Sequence, residues 1–167
     1  MILAIDPGSA ESAYVLLNEK LKPVEFGKVE NEILLGNLVG TISVHLVDTV
    51  AVEMIASYGM SVGKEVFETC VWIGKFLENT RRTVRNQRLI YRKDAKMNLC
   101  HSMKAKDSNI TQALVDRFAT GQPNHGKGTK KEKGWFHGFS KDIWQAYAVG
   151  VTYADLYLKG EQDGKSI

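Results

Sequence analysis

The pattern of apolar and polar positions along the 167 residues predicts strands and helices in a definite order. Short apolar or alternating runs bounded by turn residues predict strands at 2–6, 12–17, 24–29, 49–55 and 88–91. Apolar residues spaced three or four apart predict helices at 30–46, 61–79, 94–103, 107–118 and 142–158. Three strands follow one another directly, and the later strands alternate with helices. This order predicts an α/β fold whose mixed five-stranded sheet combines an antiparallel meander with parallel strands and is flanked by helices.

The length of the chain predicts one domain, which we place at residues 1–158, followed by a polar tail at 159–167. Residues 119–139 hold five glycines, one proline and four lysines, which predicts a mobile basic loop with little apolar packing. No basic-then-apolar leader and no apolar run near eighteen residues occurs in the sequence. We therefore expect a soluble, cytoplasmic protein that does not bind membranes.

The two cysteines, Cys70 and Cys100, fall on predicted helices without the spacing of a zinc site. His101, His125 and His137 do not complete such a spacing either. The sequence therefore predicts reduced thiols rather than a disulfide or a structural zinc ion.

A strong charge asymmetry lies behind the net charge of +3. Residues 1–53 carry eight acidic and three basic side chains, whereas residues 75–141 carry sixteen basic and five acidic ones. Aromatic residues such as Tyr91, Trp135 and Phe136 are interspersed in the basic part. This distribution favours a nucleic acid as the partner, and the alternative is a solvated basic surface.

Three acidic residues lie near the ends of predicted strands or at the start of a predicted helix, where ligands often bind in an α/β fold. Asp6 and Glu53 come near the ends of apolar strands, and Asp142 opens the last helix. Carboxylates on buried strands must be paired, protonated or bound to a metal, and oxygen ligands select Mg²⁺ or Mn²⁺. The alternatives are ordinary ones: the Asp6-Pro7-Gly8 sequence is typical of a turn, and Asp142 suits a helix cap.

These motifs together resemble the RuvC family of Holliday junction resolvases. The resemblance rests on Ala4-Ile5-Asp6-Pro7-Gly8-Ser9, on Ala51-Val52-Glu53 and on Ser140-Lys141-Asp142, and it extends over nearly the whole chain. It is strongest to the small bacteriophage members. The resemblance implies a ribonuclease H-like fold and a crossover junction endodeoxyribonuclease in a bacterial cell, acting in DNA recombination and repair on branched DNA. No motor or helicase partner follows from it.

The resemblance also implies roles for the three carboxylates. Asp6, Glu53 and Asp142 match metal-binding catalytic residues that hold magnesium ions for phosphodiester hydrolysis. Many family members carry a further aspartate three positions after the third acid, where this chain has Gln145. A neutral amide orients water or accepts weakly but adds no charge. We therefore expect a weakly bound second ion and activity that Mn²⁺ supports better than Mg²⁺.

Basic residues near these motifs are the candidates for DNA contact. One group lies on the basic loop and at the start of the last helix: Lys127, Lys130, Lys131, Lys133, His137 and Lys141. A second group surrounds the last strand: Arg81, Arg82, Arg85 and Arg88. We expect phosphate contacts from both groups, because no recognition helix is evident. The family also places an apolar wedge after the second acid, for which Ile55 and Tyr58 are candidates, with core or dimer packing as the alternative.

Helix 61–79 has an apolar stripe wider than one sheet contact requires, so we expect it to form a homodimer interface; burial within its own domain is the alternative.

Three other functions remain open. One is a protein that binds branched DNA without cutting it, and another is a nuclease for RNA or RNA–DNA hybrids. The third, an actin-like kinase or ATPase, would need a second phosphate loop and about twice this length.

Overall fold

The computed structural model describes residues 1–57, 59 and 61–158. Its strands are Ile2–Asp6 (β1), Glu11–Leu17 (β2), Pro23–Glu30 (β3), Thr49–Met54 (β4) and Asn86–Tyr91 (β5). They form one sheet in the order β3-β2-β1-β4-β5. The first three strands pair antiparallel, and β1, β4 and β5 run parallel. The predicted α/β class and mixed five-stranded sheet are confirmed.

The helices follow the predicted order with shifted ends. They are Asn31–His45 (α1), Lys64–Thr80 (α2), Arg92–Cys100 (α3), Asp107–Phe118 (α4) and Lys141–Tyr153 (α5), and a π-helical turn, Ala154–Leu158, follows α5. Helix α2 begins three residues later than predicted, because Gly63 has an extended backbone. Helix α3 ends three residues early, because His101 adopts a left-handed φ of 52°.

The sheet separates two apolar cores because successive side chains of a strand point to opposite faces. Ala4 and Ala51 face α5, whereas Ile5 and Val52 face α1 and α2. Helix α5 lies very close to the sheet at Gly150, where an added Cβ would stand 2.5 Å from Leu17 Cδ1 and 3.0 Å from Ala4 Cβ. This close approach brings the start of α5 to the edge of the sheet where β1 ends.

The predicted mobile loop is wrong in one respect, because the last residues of 119–139 belong to the core. Phe136 and Phe139 are 0% and 3% exposed and contact Trp144 and Tyr147. Gly134 makes this packing possible, since a Cβ there would lie 2.2 Å from the Gly126 carbonyl oxygen. The glycines allow close backbone contact here, whereas their number in the sequence indicated flexibility.

Two further expectations concern the cysteines and the membrane. Cys70 and Cys100 are half-buried free thiols. Within the described residues, the helices are too short or too polar to cross a membrane. The predicted tail at 159–167 lies outside the described residues.

Candidate active site

Asp6 and Glu53 stand side by side where two parallel strands end. Ile5 pairs with Val52 in the register of β1 and β4, and Asp6 and Glu53 are the next residues of each strand. Their side chains lie on the sheet face that Ala4 and Ala51 share, which is the face covered by α5. The two carboxyl groups are close enough for the negative charge of Glu53 to raise the pKa of Asp6. The expected juxtaposition of these acids at one edge of the sheet is therefore present.

The environment of Asp6 strongly favours its protonated form. Burial raises the pKa of Asp6 from 3.8 to about 9, and the negative charge and hydrogen bond of Glu53 add to this effect. Asp142 raises it further, while Arg92 opposes the rise. The two acids thus share a site that disfavours two negative charges, a conflict that either a proton or a divalent cation can resolve.

The turn after Asp6 is held by a buried polar network. Ser12 Oγ donates to Asn31 Oδ1 at 2.6 Å, and Asn31 Nδ2 donates to the carbonyl oxygen of Gly8 at 2.9 Å. Gly8 is required sterically, because an added Cβ would lie 2.4 Å from the Glu11 carbonyl oxygen. The Pro-Gly turn therefore has a structural role of its own, and this role is compatible with a functional role for Asp6.

Asp142 lies in the first turn of α5 and pairs with a lysine from the sheet. Lys28 Nζ is 2.9 Å from Asp142 Oδ2 and 3.2 Å from Glu11 Oε2. Lys28 belongs to β3 and stands in the same cross-strand row as Ala13 and Asp6. The Ser140 side chain makes no capping hydrogen bond at the start of α5, and Asp142 is directed to an ion pair instead.

Arg92 provides the second cation of the site. It is the first residue of α3, directly after β5, and its Nη1 lies 3.4 Å from Glu53 Oε1. Its Nη2 contacts the carboxylate of Asp107 at the start of α4. The Glu53 side chain is 12% exposed, so Arg92 pairs with a largely buried carboxylate.

Gln145 is buried one helical turn after Asp142, on the same side of α5. It is only 6% exposed, and its Oε1 has no hydrogen-bond partner in the described part of the protein. A buried acceptor without a donor costs free energy, so such groups usually mark a site that another group completes. The amide oxygen could accept a hydrogen bond from a water molecule or coordinate a cation.

The donor chemistry fits a divalent cation at Asp6 and Glu53. The two carboxylates are oxygen donors, which Mg²⁺ and Mn²⁺ prefer, and Gln145 on α5 has a further unsatisfied oxygen. No three Asp, Glu, His or Cys side chains among residues 1–57, 59 and 61–158 are grouped so that they could hold one ion together. Asp142 pairs with Lys28 and does not complete such a group.

Most lysines of the basic loop are exposed, and within the described residues none of them forms an ion pair with Asp6, Glu53 or Asp142. Lys130, Lys131 and Lys133 are exposed, and Lys127 is half-buried. Lys133 lines a pocket with Lys22, which lies in the turn between β2 and β3 at the opposite edge of the sheet. Lys141 precedes Asp142 directly and is exposed, whereas the ring Nδ1 of His137 lies 3.1 Å from the Lys127 carbonyl oxygen.

The arginine group also lies away from the carboxylates. The backbone amide of Arg85 bonds to Asp48 beside the starts of β4 and β5, so it stands at the edge opposite Asp6. Arg81 pairs with Glu78. Arg82 is exposed, and the Arg88 guanidinium lies 5.4 Å from the centre of the Tyr157 ring. Of the two wedge candidates, Ile55 is half-buried directly after β4, and Tyr58 lies outside the described residues.

Sequence reasoning missed Lys28 and Arg92. Lys28 resembles any exposed lysine on an edge strand, because its partner depends on the strand register and on the approach of α5. Arg92 did leave a signal: it follows β5 directly, and β5 runs parallel to the strand that carries Glu53. The carboxyl ends of parallel strands meet at one edge, so its proximity to Glu53 could have been inferred.

Two solved structures of Thermus thermophilus RuvC are similar to this chain in fold. The first aligns with a TM-score of 0.70 at 14% identity and covers 95% of this chain and 96% of that one. The second is RuvC in complex with a Holliday junction substrate; it aligns with a TM-score of 0.70 at 12% identity, covering 95% of each chain. The fold is RuvC-like. No protein-family model and no curated protein matches the sequence. At these identities the likeness to RuvC concerns the fold.

Proposed function

We propose that this protein is a metal-dependent endonuclease that cleaves four-way DNA junctions as a homodimer. The observation that carries the proposal is the pair formed by Asp6 and Glu53, partly buried and side by side at the carboxyl edge of a RuvC-like sheet. Such a pair is poised to exchange a proton for a divalent cation. The junction complex of T. thermophilus RuvC supports branched DNA as the substrate class.

In this proposal, the residues of the site have metal-binding, positioning and DNA-contact roles. Asp6 and Glu53 hold the cation, Asp142 and Gln145 line the site beside it, and Arg92 keeps Glu53 in place. When bound, a divalent cation makes water a better nucleophile and stabilises charge on the leaving oxygen. The exposed lysines contact phosphates along the DNA arms, which adds affinity without reading sequence. We expect Mg²⁺ to serve, and Mn²⁺ to serve better.

Cleavage assays on the purified protein test this proposal. Labelled four-way junction, linear duplex and RNA–DNA hybrid are incubated with Mg²⁺, Mn²⁺ or EDTA. We expect junction cleavage that needs metal and is lost, by at least about 10²-fold, in Asp6→Asn and Glu53→Gln. Cleavage that survives both substitutions would remove these residues from the site. Preferred cleavage of the hybrid would reassign the substrate to RNA–DNA.

A second function has its own support in the two ion pairs. Lys28 and Arg92 already neutralise Asp142 and Glu53, as would suit a protein that binds branched DNA without cutting it. The same assay decides between the two functions. Slow migration of the junction in a gel, without cleavage in either metal, would establish the binding function.

The homodimer rests on helix α2. Its buried side chains, which include Ile73 and Phe76, lie on one side, while Phe67 and Val71 lie on the other and are 61% and 59% exposed. Phe67 and Val71 are one turn apart and form a solvent-facing apolar strip. A two-fold interface on this strip would supply the two equivalent sites that symmetric cleavage of a junction requires. A small bacteriophage-type origin and a bacterial cytoplasmic location complete the proposal.

A further inference from the structure

Lys28 occupies an unusual position for a strand lysine. Its ammonium group lies between two carboxylates, 2.9 Å from Asp142 Oδ2 and 3.2 Å from Glu11 Oε2. A lysine ammonium carries its charge throughout the neutral range, and here it faces two carboxylates. Because Lys28 shares a cross-strand row with Asp6, this charge lies at the rim of the candidate site.

The carboxylates of the site therefore fall into two groups. Asp6 and Glu53 lie side by side, and Arg92 offsets part of their charge. Asp142 instead pairs with Lys28, and the next polar position on that side of α5 is the uncharged Gln145. The Asp142 carboxylate is thus already in contact with an ammonium group, which it shares with Glu11.

A second divalent cation at Asp142 would meet two obstacles. It would have to displace or tolerate a positive charge held within hydrogen-bond distance of its ligand, and like charges at such separations repel strongly. It would also find an amide at Gln145 rather than a second carboxylate. The half of the site around Asp6 and Glu53 offers two adjacent carboxylates, and the Arg92 guanidinium, which contacts Glu53, offsets only part of their charge.

We propose that the site binds one divalent cation, at Asp6 and Glu53, and that the Lys28 ammonium supplies beside Asp142 the positive charge of a second ion. This inference rests on the proposed nuclease function and extends it. The Lys28 side chain is 39% exposed, so its three N–H donors are accessible to a phosphate group. Lys28 stabilises negative charge on the phosphate oxygens and transfers no proton.

Glu11 has a supporting part in this arrangement. It forms a second ion pair with Lys28, so one carboxylate still holds the ammonium when a phosphate competes with Asp142. Glu11 is placed by the turn that Gly8 and Asn31 fix. Lys28 and Glu11 are thus set by the same turn that positions Asp6.

The number of Mn²⁺ ions bound per chain tests the inference directly. We would measure it by titration calorimetry and by electron paramagnetic resonance, without DNA, on wild type, Lys28→Met, Gln145→Asp and the double variant. We expect one ion in wild type and in Gln145→Asp, and two in Lys28→Met/Gln145→Asp, where the ammonium is absent and a second carboxylate is present. Two ions in wild type, or one in the double variant, would overturn the inference.

Junction cleavage provides the second measurement. Lys28→Met should lower the cleavage rate at saturating Mn²⁺ by at least about 10²-fold, the loss typical of one charge-stabilising group. The matched control, Lys20→Met in the exposed turn between β2 and β3, should cleave at the wild-type rate. Glu11→Gln loosens Lys28 without removing it and should cause a smaller loss. Wild-type cleavage by Lys28→Met would overturn the role of Lys28.

Failure of the proposed function gives a different result. A wild-type protein that binds one Mn²⁺ and cuts no nucleic acid would refute the nuclease activity and, with it, the catalytic use of Lys28. The ion count of the double variant would still decide whether Lys28 excludes a second ion.

Discussion

The Asp6 carboxyl shows how one residue can couple stability to function. The folded protein keeps a proton on Asp6 up to a pKa of about 9, whereas the unfolded chain releases it near 3.8. Between these values the folded state binds more protons than the unfolded state, so its stability falls as pH rises. A divalent cation bound to the two carboxylates would prevent this loss of stability, because its charge would offset the negative charge of ionised Asp6.

The first prediction concerns Asp6→Asn. In EDTA the melting temperature of the variant should exceed that of wild type by at least about 3 °C at pH 8 and by less at pH 5. For a chain of this size, about 3 °C corresponds to roughly 1 kcal/mol of unfolding free energy. The substitution removes the ionisation while keeping the shape of the side chain. Differential scanning calorimetry at several pH values measures the effect.

Two further measurements constrain this explanation. Added Mn²⁺ should stabilise wild type more than Asp6→Asn, because only wild type keeps both carboxylates. Asp116→Asn, a substitution of an exposed acid on α4, serves as the matched control and should show no gain that grows with pH. A constant difference between Asp6→Asn and wild type from pH 5 to pH 8 would contradict the ionisation argument.

At the scale of elements, the position of α5 decides whether there is a site at all. The helix carries Asp142 and Gln145, and it reaches the sheet edge because Gly150 allows it to lie against Ala4 and Leu17. The segment before it contributes Phe136 and Phe139 to the same core. The start of α5 is therefore held by packing on both sides.

The second prediction is that Gly150→Ala destabilises the protein by about 1–3 kcal/mol, because its Cβ would meet Leu17 and Ala4 in a filled core. Gly36→Ala on α1 is the matched control. A Cβ at Gly36 meets nothing within 4 Å, so alanine should stabilise the helix by up to about 1 kcal/mol. Urea denaturation measures both. A neutral Gly150→Ala would mean that α5 is free to shift outward.

These elements also show how far sequence reasoning extends. The strands and α5 were predicted because apolar periodicity is a local signal that burial imposes on each element. The packing of Phe136 and Phe139 was missed, because their burial depends on backbone contact between Gly126 and Gly134, which composition does not reveal. Glycine in a sequence indicates either flexibility or close approach, and only the neighbouring chain distinguishes them.

At the scale of the whole molecule, symmetry and charge determine how a branched substrate would be handled. The carboxylates lie at one edge of the sheet, while the exposed strip of α2 and the arginines near β5 lie elsewhere. A dimer would set two sites in a fixed relation to each other. The basic residues would then decide along which surface the DNA arms run.

The third prediction is that Phe67→Glu gives a monomer. A carboxylate in the centre of the apolar strip would face its own copy across a two-fold axis, where burial and repulsion both oppose association. Analytical ultracentrifugation at micromolar concentration compares it with wild type, which we expect to be dimeric. Val24→Glu, an exposed apolar position on β3, is the matched control and should remain dimeric. A dimeric Phe67→Glu would place the interface elsewhere.

The fourth prediction concerns the two basic groups. The triple change Lys130→Gln, Lys131→Gln and Lys133→Gln should weaken junction binding and reduce the slope of log affinity against log salt by about 0.9 for each phosphate that the protein no longer neutralises. Arg81→Gln, Arg82→Gln and Arg85→Gln should change the slope less, because Arg81 is already paired with Glu78. Fluorescence anisotropy across salt concentrations measures both. Equal changes would assign both surfaces to the DNA.

The sequence by itself determined the order of the elements, the mixed sheet and the positions of Asp6, Glu53 and Asp142 near the ends of elements. It could do so because burial leaves a local periodic pattern, and because ionisable residues next to apolar runs stand out from it. Only the tertiary structure decided which charges meet. Lys28 reaches Asp142, and Arg92 reaches Glu53, across elements far apart in the chain, through strand register and helix approach. The Lys28 pairing depends on long-range geometry that leaves no local pattern in the sequence, whereas the position of Arg92 directly after a parallel strand is a signal that could have been used.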